Sequence, residues 1–441
     1  MKLSVFAIFL LIMGLQHISN FLVALPILIM VPQVIKYILA PKYITFNQVI
    51  SANKIFFLFA IIIIIGIIRT NKPDTPFENI VSQSLLILLL ILLINGIAFY
   101  HLHKHRDWKK LVLNYILVPF ALFSLLNLVL FFGNVKLPIS GSEANEGYIA
   151  DAVLLSKFGI SIKRVVFPLA TGINNYAIYV GGSLAISFSF LLYYPKDRYI
   201  SGFCTGIFVM TLLFTDSRGA LFYPILINLF LLLFRHSSKL GRQWQWLCWL
   251  VMFGPLVFYF LLPWLSNLSL FQTISRKSSD LATGNDRTLK WTLSFIEFYQ
   301  VKFQHVFGWG MFGHYASGVS KFWSINSDRD TAEISLTPHS TLFSILFDYG
   351  YVGLLLYITV LWQTMHKIRK IWQYDRTVAL PLLAFFIYNI ISGITESLCG
   401  TYSMDYLFLL IIYLTVINVM HYYIVYGFNI KVKRSAKRII D

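Results

Sequence analysis

Long apolar runs separated by short polar segments make up most of the chain. They fall at about 3–18, 21–40, 54–68, 80–100, 111–133, 173–194, 199–214, 217–234, 244–265, 341–361, 376–395 and 404–425. About 20 residues at roughly 1.5 Å each cross the ~30 Å hydrocarbon core of a bilayer. The runs do not alternate as barrel strands do, which leaves helices as the backbone arrangement that lipid tolerates. The pattern predicts an all-α integral membrane protein of about twelve transmembrane helices. The opening MKLSVFAIFLLIMG has signal-peptide character with no small-residue cleavage site behind it, so it is expected to stay as the first span.

Two stretches interrupt the pattern. Residues 134–172 and 266–340 are mixed in charge and rich in Gly, Ser and Asn. Long connections of this kind are commonly functional. The second contains the helix-like RTLKWTLSFIEFYQ, which predicts a partly helical loop region on the membrane surface. The expected organisation is five N-terminal spans (1–133), a loop (134–172), four spans (173–265), a large loop (266–340), three spans (341–425) and a basic tail (426–441).

Charge gives this arrangement a direction. Only 12% of residues are charged, against roughly 25% in soluble domains. The formal charge of +17 falls in short loops between spans and does not form a nucleic-acid-binding face. Lys104, Arg106, Lys109 and Lys110; Lys196 and Arg198; Arg235, Lys239 and Arg242; and Lys367, Arg369, Lys370 and Arg376 all land on one side under the twelve-span count. The tail KVKRSAKR joins them, and the positive-inside rule makes that side the cytoplasm, with both termini. The three cysteines (Cys204, Cys248, Cys399) are too few and odd in number for a disulfide framework.

Four groups are then placed at the opposite face: Arg164, Arg218 in TDSRGALF, Arg287 in NDRTLKW, and His339 in PHSTLFSILFDYGYVG. Arginine offers a planar fork that grips phosphate oxygens, and a neutral histidine accepts a proton from a hydroxyl. Together they suit transfer from a lipid diphosphate. Singly, each arginine also fits a snorkelling anchor, and Ser340 a helix cap. Gly350 and Gly353 fit close helix packing. Glu396, in ITES, reads equally as a partner for an arginine, a ligand for sugar hydroxyls or an interface carboxylate. Asp348 falls inside the tenth span, where an ionisable group is costly. His101, His103 and His105 alternate, so a helix does not bring them to one face, and the lone Asp328-x-Asp330 pair is weak for a metal.

The pieces TDSRGAL, NDRTLKW, GWGMFG, PHSTLFSILFDYGYVG and ITES, in this order, resemble the O-antigen ligase and Wzy-type polymerase superfamily of bacterial surface-polysaccharide assembly. The likeness runs from about Arg164 to Glu396; the first five spans match in hydropathy alone. It implies an undecaprenyl-diphosphate-linked oligosaccharide donor and an inverting transfer at the periplasmic face of the inner membrane, without nucleotide sugar, metal or cofactor. By motif match it assigns Arg218, Arg287 and His339 to the donor diphosphate and the catalytic base; Arg164, which matches more loosely, Ser340 and Glu396 stand beside them as candidate substrate-binding residues. The resemblance also implies a lipid-linked glycan or the lipid A core as acceptor, membrane lipids around it, and a chain-length regulator as an expected partner. The aromatic-rich spans, with 39 Phe and 25 Tyr in the chain, and modest outer loops favour polymerase over ligase. The rival class is a multi-span transporter or flippase, which would place ionisable groups near the midplane rather than at one surface.

Overall fold

The computed structural model describes residues 24–38, 46–72, 75, 77–105, 107–135, 151–157, 159–170, 172–267, 287–324, 337–399 and 404–427. It is all-α: among these residues there is no strand, and Asp151–Lys163 is an isolated bridge. The helices are α1 (Ala24–Ile38), α2 (Phe46–Ile68), α3 (Phe77–His105), α4 (Trp108–Val112, Leu113–Leu117 and Val118–Phe132 in succession), α5 (Ile173–Tyr193), α6 (Arg198–Thr215), α7 (Arg218–Leu232), α8 (Leu250–Ser266), α9 (Arg287–Tyr299), α10 (Thr341–Tyr374), α11 (Arg376–Thr395) and α12 (Met404–Tyr422). Eight helices are long and apolar enough to cross a membrane. Three shorter apolar ones fall on the predicted second, fifth and eighth spans. The predicted first span and basic tail, and the Asp328/Asp330 pair, lie outside the described residues.

Burial runs as lipid requires. Leu28, Phe77, Phe132, Leu226, Phe260 and Leu355 point outward, while a set of asparagine side chains is buried and paired within the bundle. Asn53 donates to Asn95 Oδ1 at 2.7 Å, Asn418 donates to Asn53 Oδ1 at 2.8 Å, and Lys367 Nζ reaches Asn418 Oδ1 at 2.7 Å. This chain ties α2, α3, α10 and α12, because a polar group in an apolar bundle needs an internal partner. In α4 the π-helical turn Leu113–Leu117 precedes Pro119. A proline lacks the N–H that would continue the ladder, and the widened turn absorbs the loss.

The basic connections gather at one end. Lys109 pairs with Asp197 at 2.8 Å, Arg376 donates to His236 O and Ser237 O, and the Trp108 ring packs on Tyr374 at 5.5 Å. The clustering expected from the charge pattern is present in three dimensions. At the other end Arg69 meets Gly308, Arg164 meets Thr215, and Arg287 meets Glu396.

One element departs from the expected span. Helix α10 is broken at Gly350 (φ 66, ψ −163). Residues 351–374 are about 36 Å of helix, and antiparallel α11 is about 30 Å. A straight α10 would carry Thr341 far beyond the end of α11. The break lets residues 341–349 cross that end as a short arm. Thr341 Oγ1 donates to Glu396 O at 2.8 Å and accepts from Leu398 N–H at 3.1 Å. Ser344 Oγ lies 2.6 Å from Ser397 Oγ. Asp348, read in sequence as a mid-span residue, therefore sits at the break and at the site end of the bundle.

The break is held from outside the helix. Trp309 N–H and Gly310 N–H donate to Phe347 O and Asp348 O at 2.8 and 3.0 Å, and Gly313 N–H donates to Asp348 Oδ1 at 3.0 Å. Gly308 (φ 68) and Gly350 press backbone to backbone: a Cβ on Gly308 would lie 2.6 Å from Gly350 N. Both need glycine for the left-handed conformation and for the contact.

Candidate functional site

The site is assembled from α9, the segment 337–340, the arm of α10 and the end of α11. Arg287 opens α9, and its NH2 lies 2.5 Å from Glu396 Oε1. His339 Nδ1 lies 3.4 Å from Glu396 Oε2. The three groups are spread over more than a hundred residues of sequence, and one carboxylate joins them. His339 is itself in the left-handed region (φ 49), a costly conformation for a non-glycine residue that its surroundings must enforce. Helix α9 supplies that restraint. Trp291 Nε1–H donates to Pro338 O at 3.2 Å, and Lys290 Nζ to Thr337 O at 3.3 Å.

Lys290 was not singled out from sequence. It is buried, one turn from Arg287, and its charge reaches both His339 and Glu396. The signal that marks it is its place in RTLKW, where i and i+3 share a helix face. Tyr223, on α7, stands within electrostatic reach of Arg287 and Glu396.

Burial pushes the His339 imidazole below its ordinary pKa. The hydrogen bond and charge of Glu396 work upward, Lys290 and Arg287 work downward, and the balance stays low. The side chain keeps 26% of its surface open, so this is the desolvation of a pocket wall. For Glu396, burial alone would raise the pKa; the Arg287 charge, the His339 contact and Lys290 outweigh it and hold the carboxyl below its usual value. At neutral pH the pair is then a carboxylate beside a neutral imidazole. The carboxylate favours the proton on Nδ1, which leaves the Nε2 lone pair as an acceptor. Two buried donors, Arg287 Nε and Ser340 Oγ, make no hydrogen bond among the described residues. Ser340 stands at the N-cap of α10, yet its side chain makes no capping bond.

Arg218 and Arg164 belong to an adjoining turn at the same end of the bundle. Helices α6 and α7 are joined by Asp216 and Ser217, with Asp216 left-handed (φ 48) and accepting from Leu154 N–H at 3.0 Å. Arg218 is the first residue of α7. Arg164 Nε donates to Thr215 O and its NH2 to Asn174 Oδ1, both at 2.8 Å, so it clasps the turn that presents Arg218. Among the sequence-selected residues, Arg287, His339, Ser340 and Glu396 form one cluster, and Arg164 and Arg218 form a second around the turn. His101 accounts for itself structurally, with Nε2 2.8 Å from Asp107 O at the opposite end.

The structure is thus an all-α bundle with membrane-spanning helices that gathers cations, a carboxylate and a neutral histidine at one end. Residues 203–358 match the family model for O-antigen ligase, which bears out the resemblance to the O-antigen ligase and polymerase superfamily. The matched region holds Arg218, Arg287, Lys290 and His339, while Arg164 and Glu396 lie outside it. Members of this family are glycosyltransferase-like enzymes. No match is found among curated proteins.

Proposed function

We propose that this protein is a membrane glycosyltransferase that takes its glycan from an undecaprenyl-diphosphate donor at the periplasmic face and acts as a surface-polysaccharide polymerase. The observation that carries the reading is Glu396, which holds Arg287 with one oxygen and His339 with the other. Arg287 and Lys290 outweigh Glu396 in charge, and Arg218 adds to them at the same bundle end, so the site favours a diphosphate. The acceptor hydroxyl gives its proton to His339 Nε2 as its oxygen bonds to the anomeric carbon. The bond from that carbon to the diphosphate oxygen breaks, and the electron pair leaves on the diphosphate, with inversion. The accessible part of the Arg287 guanidinium supplies N–H donors to oxygens of the substrate.

The second reading, ligation of the polymer to the lipid A core, is favoured by the description of the matching family as O-antigen ligase. Gene deletion followed by gel analysis of surface glycolipid separates the two. A ladder shortened to one repeat on core supports the polymerase, and bare core with lipid-linked polymer supports the ligase. An unchanged ladder overturns both.

A further inference from the structure

A second feature lies at the same end of the bundle, at the far end of the arm from His339. Between α2 and the turn at Gly308 is a cavity of about 420 Å3, within the size range of ligand pockets. Ile62, Ile65, Phe303, Phe307 and Tyr349 form apolar walls, and Arg69 stands at the rim. Ile65, Ile68, Phe303 and Phe307 are exposed on the outside. They continue into exposed Ile296, Tyr299 and Val301. In a chain that spans a bilayer, such an apolar edge on a surface-lying helix is buried in the leaflet. The cavity therefore opens sideways to lipid.

Charge tells which lipid. Arg69 and Lys72 are both exposed at the end of α2, at the bundle end that also carries Arg164 and Arg287. Arg69 spends one donor on Gly308 O at 3.0 Å; its fork has five. Asp348, also at the wall, is turned to Gly313 N–H, so an anion is favoured at the rim and opposed at the depth. Residues 341–349 separate the rim from His339 by roughly 13 Å of helix. A phosphate at Arg69 is then a different phosphate from one at Arg287.

We infer that this cavity is the lateral binding site for a second lipid diphosphate, the acceptor, whose isoprenoid chain lies between Ile62, Ile65, Phe303 and Phe307 and whose diphosphate meets Arg69 and Lys72. The inference rests on the polymerase reading, in which both substrates are lipid-linked. Its saccharide spans the arm and brings a terminal hydroxyl to His339.

Full-length His339→Ala protein in nanodiscs, labelled with a diazirine-bearing polyprenyl diphosphate, tests the site without turnover. Labels are expected on peptides spanning 62–72 and 303–308. They should fall roughly tenfold in Phe303→Glu, which puts a carboxylate in the apolar wall, and in Ile62→Trp, which fills the cavity. In otherwise wild-type protein, both substitutions should raise KM for the lipid-linked acceptor and leave donor KM unchanged. Labelling confined to other helices overturns the inference. Equal labelling by diazirine phosphatidylglycerol that polyprenyl diphosphate does not displace also overturns it, since the occupant is then a structural phospholipid. Full transfer by His339→Ala would sink the catalytic reading, while the labelling pattern would still decide the cavity.

Discussion

Arg287 and Glu396 are 109 residues apart in sequence and 2.5 Å apart in the structure. The contact closes the ring formed by α9, the 337–340 segment and α11, and the second oxygen of the carboxylate faces His339. Glu396 is thus the member whose loss disturbs both the cation and the base.

Replacing Glu396 with Gln should separate these effects through the pH profile. Transfer needs neutral His339, so activity should be full at neutral pH and fall with acid along a limb below the ordinary histidine value. Glu396 raises the His339 pKa by hydrogen bond and charge. Its removal should move the acid limb to still lower pH and also lower kcat, because the Nδ1 tautomer is no longer enforced. A pH–rate profile of purified protein reads both. An unmoved limb would make Glu396 a strut for Arg287 alone.

Arg287→Lys should lose about 10²–10³-fold in transfer, the range seen when one preorganised donor to developing charge is removed. Lysine keeps the charge, but it cannot hold Glu396 and a phosphate oxygen with a planar fork. Steady-state rates against donor concentration measure the loss; retention of most activity would mark Arg287 as a structural ion-pair residue.

Gly350→Ala and Gly308→Ala should each lower the melting temperature in detergent and abolish most transfer. A Cβ at either position meets the backbone of the other segment, and the left-handed conformation alone costs a non-glycine residue roughly 1–3 kcal/mol. The arm that carries His339 loses its anchor in both variants. Gly353→Ala, in regular helix, meets Tyr349 Cβ, an atom that no rotamer change moves, and should lower the melting temperature as well.

The sequence pattern contained the all-α membrane class, the clustered basic end and the identity of four residues that meet in one cluster. What it hid has physical causes. The break at Gly350 depends on contacts with Gly308 and Trp309, which hydropathy does not register, so α10 reads as one long span. Asp348 reads as a costly mid-membrane charge until the break places it, still buried, at the site end of the bundle, where Gly313 N–H donates to its Oδ1. Glu396 leaves three roles open because its partner lies on a loop helix. Lys290 escapes notice because one lysine in an amphipathic turn looks like a solvated face, and its burial follows from α9 lying against Pro338.

Lys290→Met offers a prediction opposite in sign to that for Glu396. The ammonium is buried, it donates to Thr337 O, and its charge lowers the His339 pKa. Methionine keeps the apolar stem and removes the charge, so the acid limb should move to higher pH, where Glu396→Gln moves it lower. Donor KM should rise as well, since one of the cations outweighing Glu396 is gone. A paired measurement of both variants checks the signs against each other. Limbs displaced in the same direction would mean that His339 is not the titrating base.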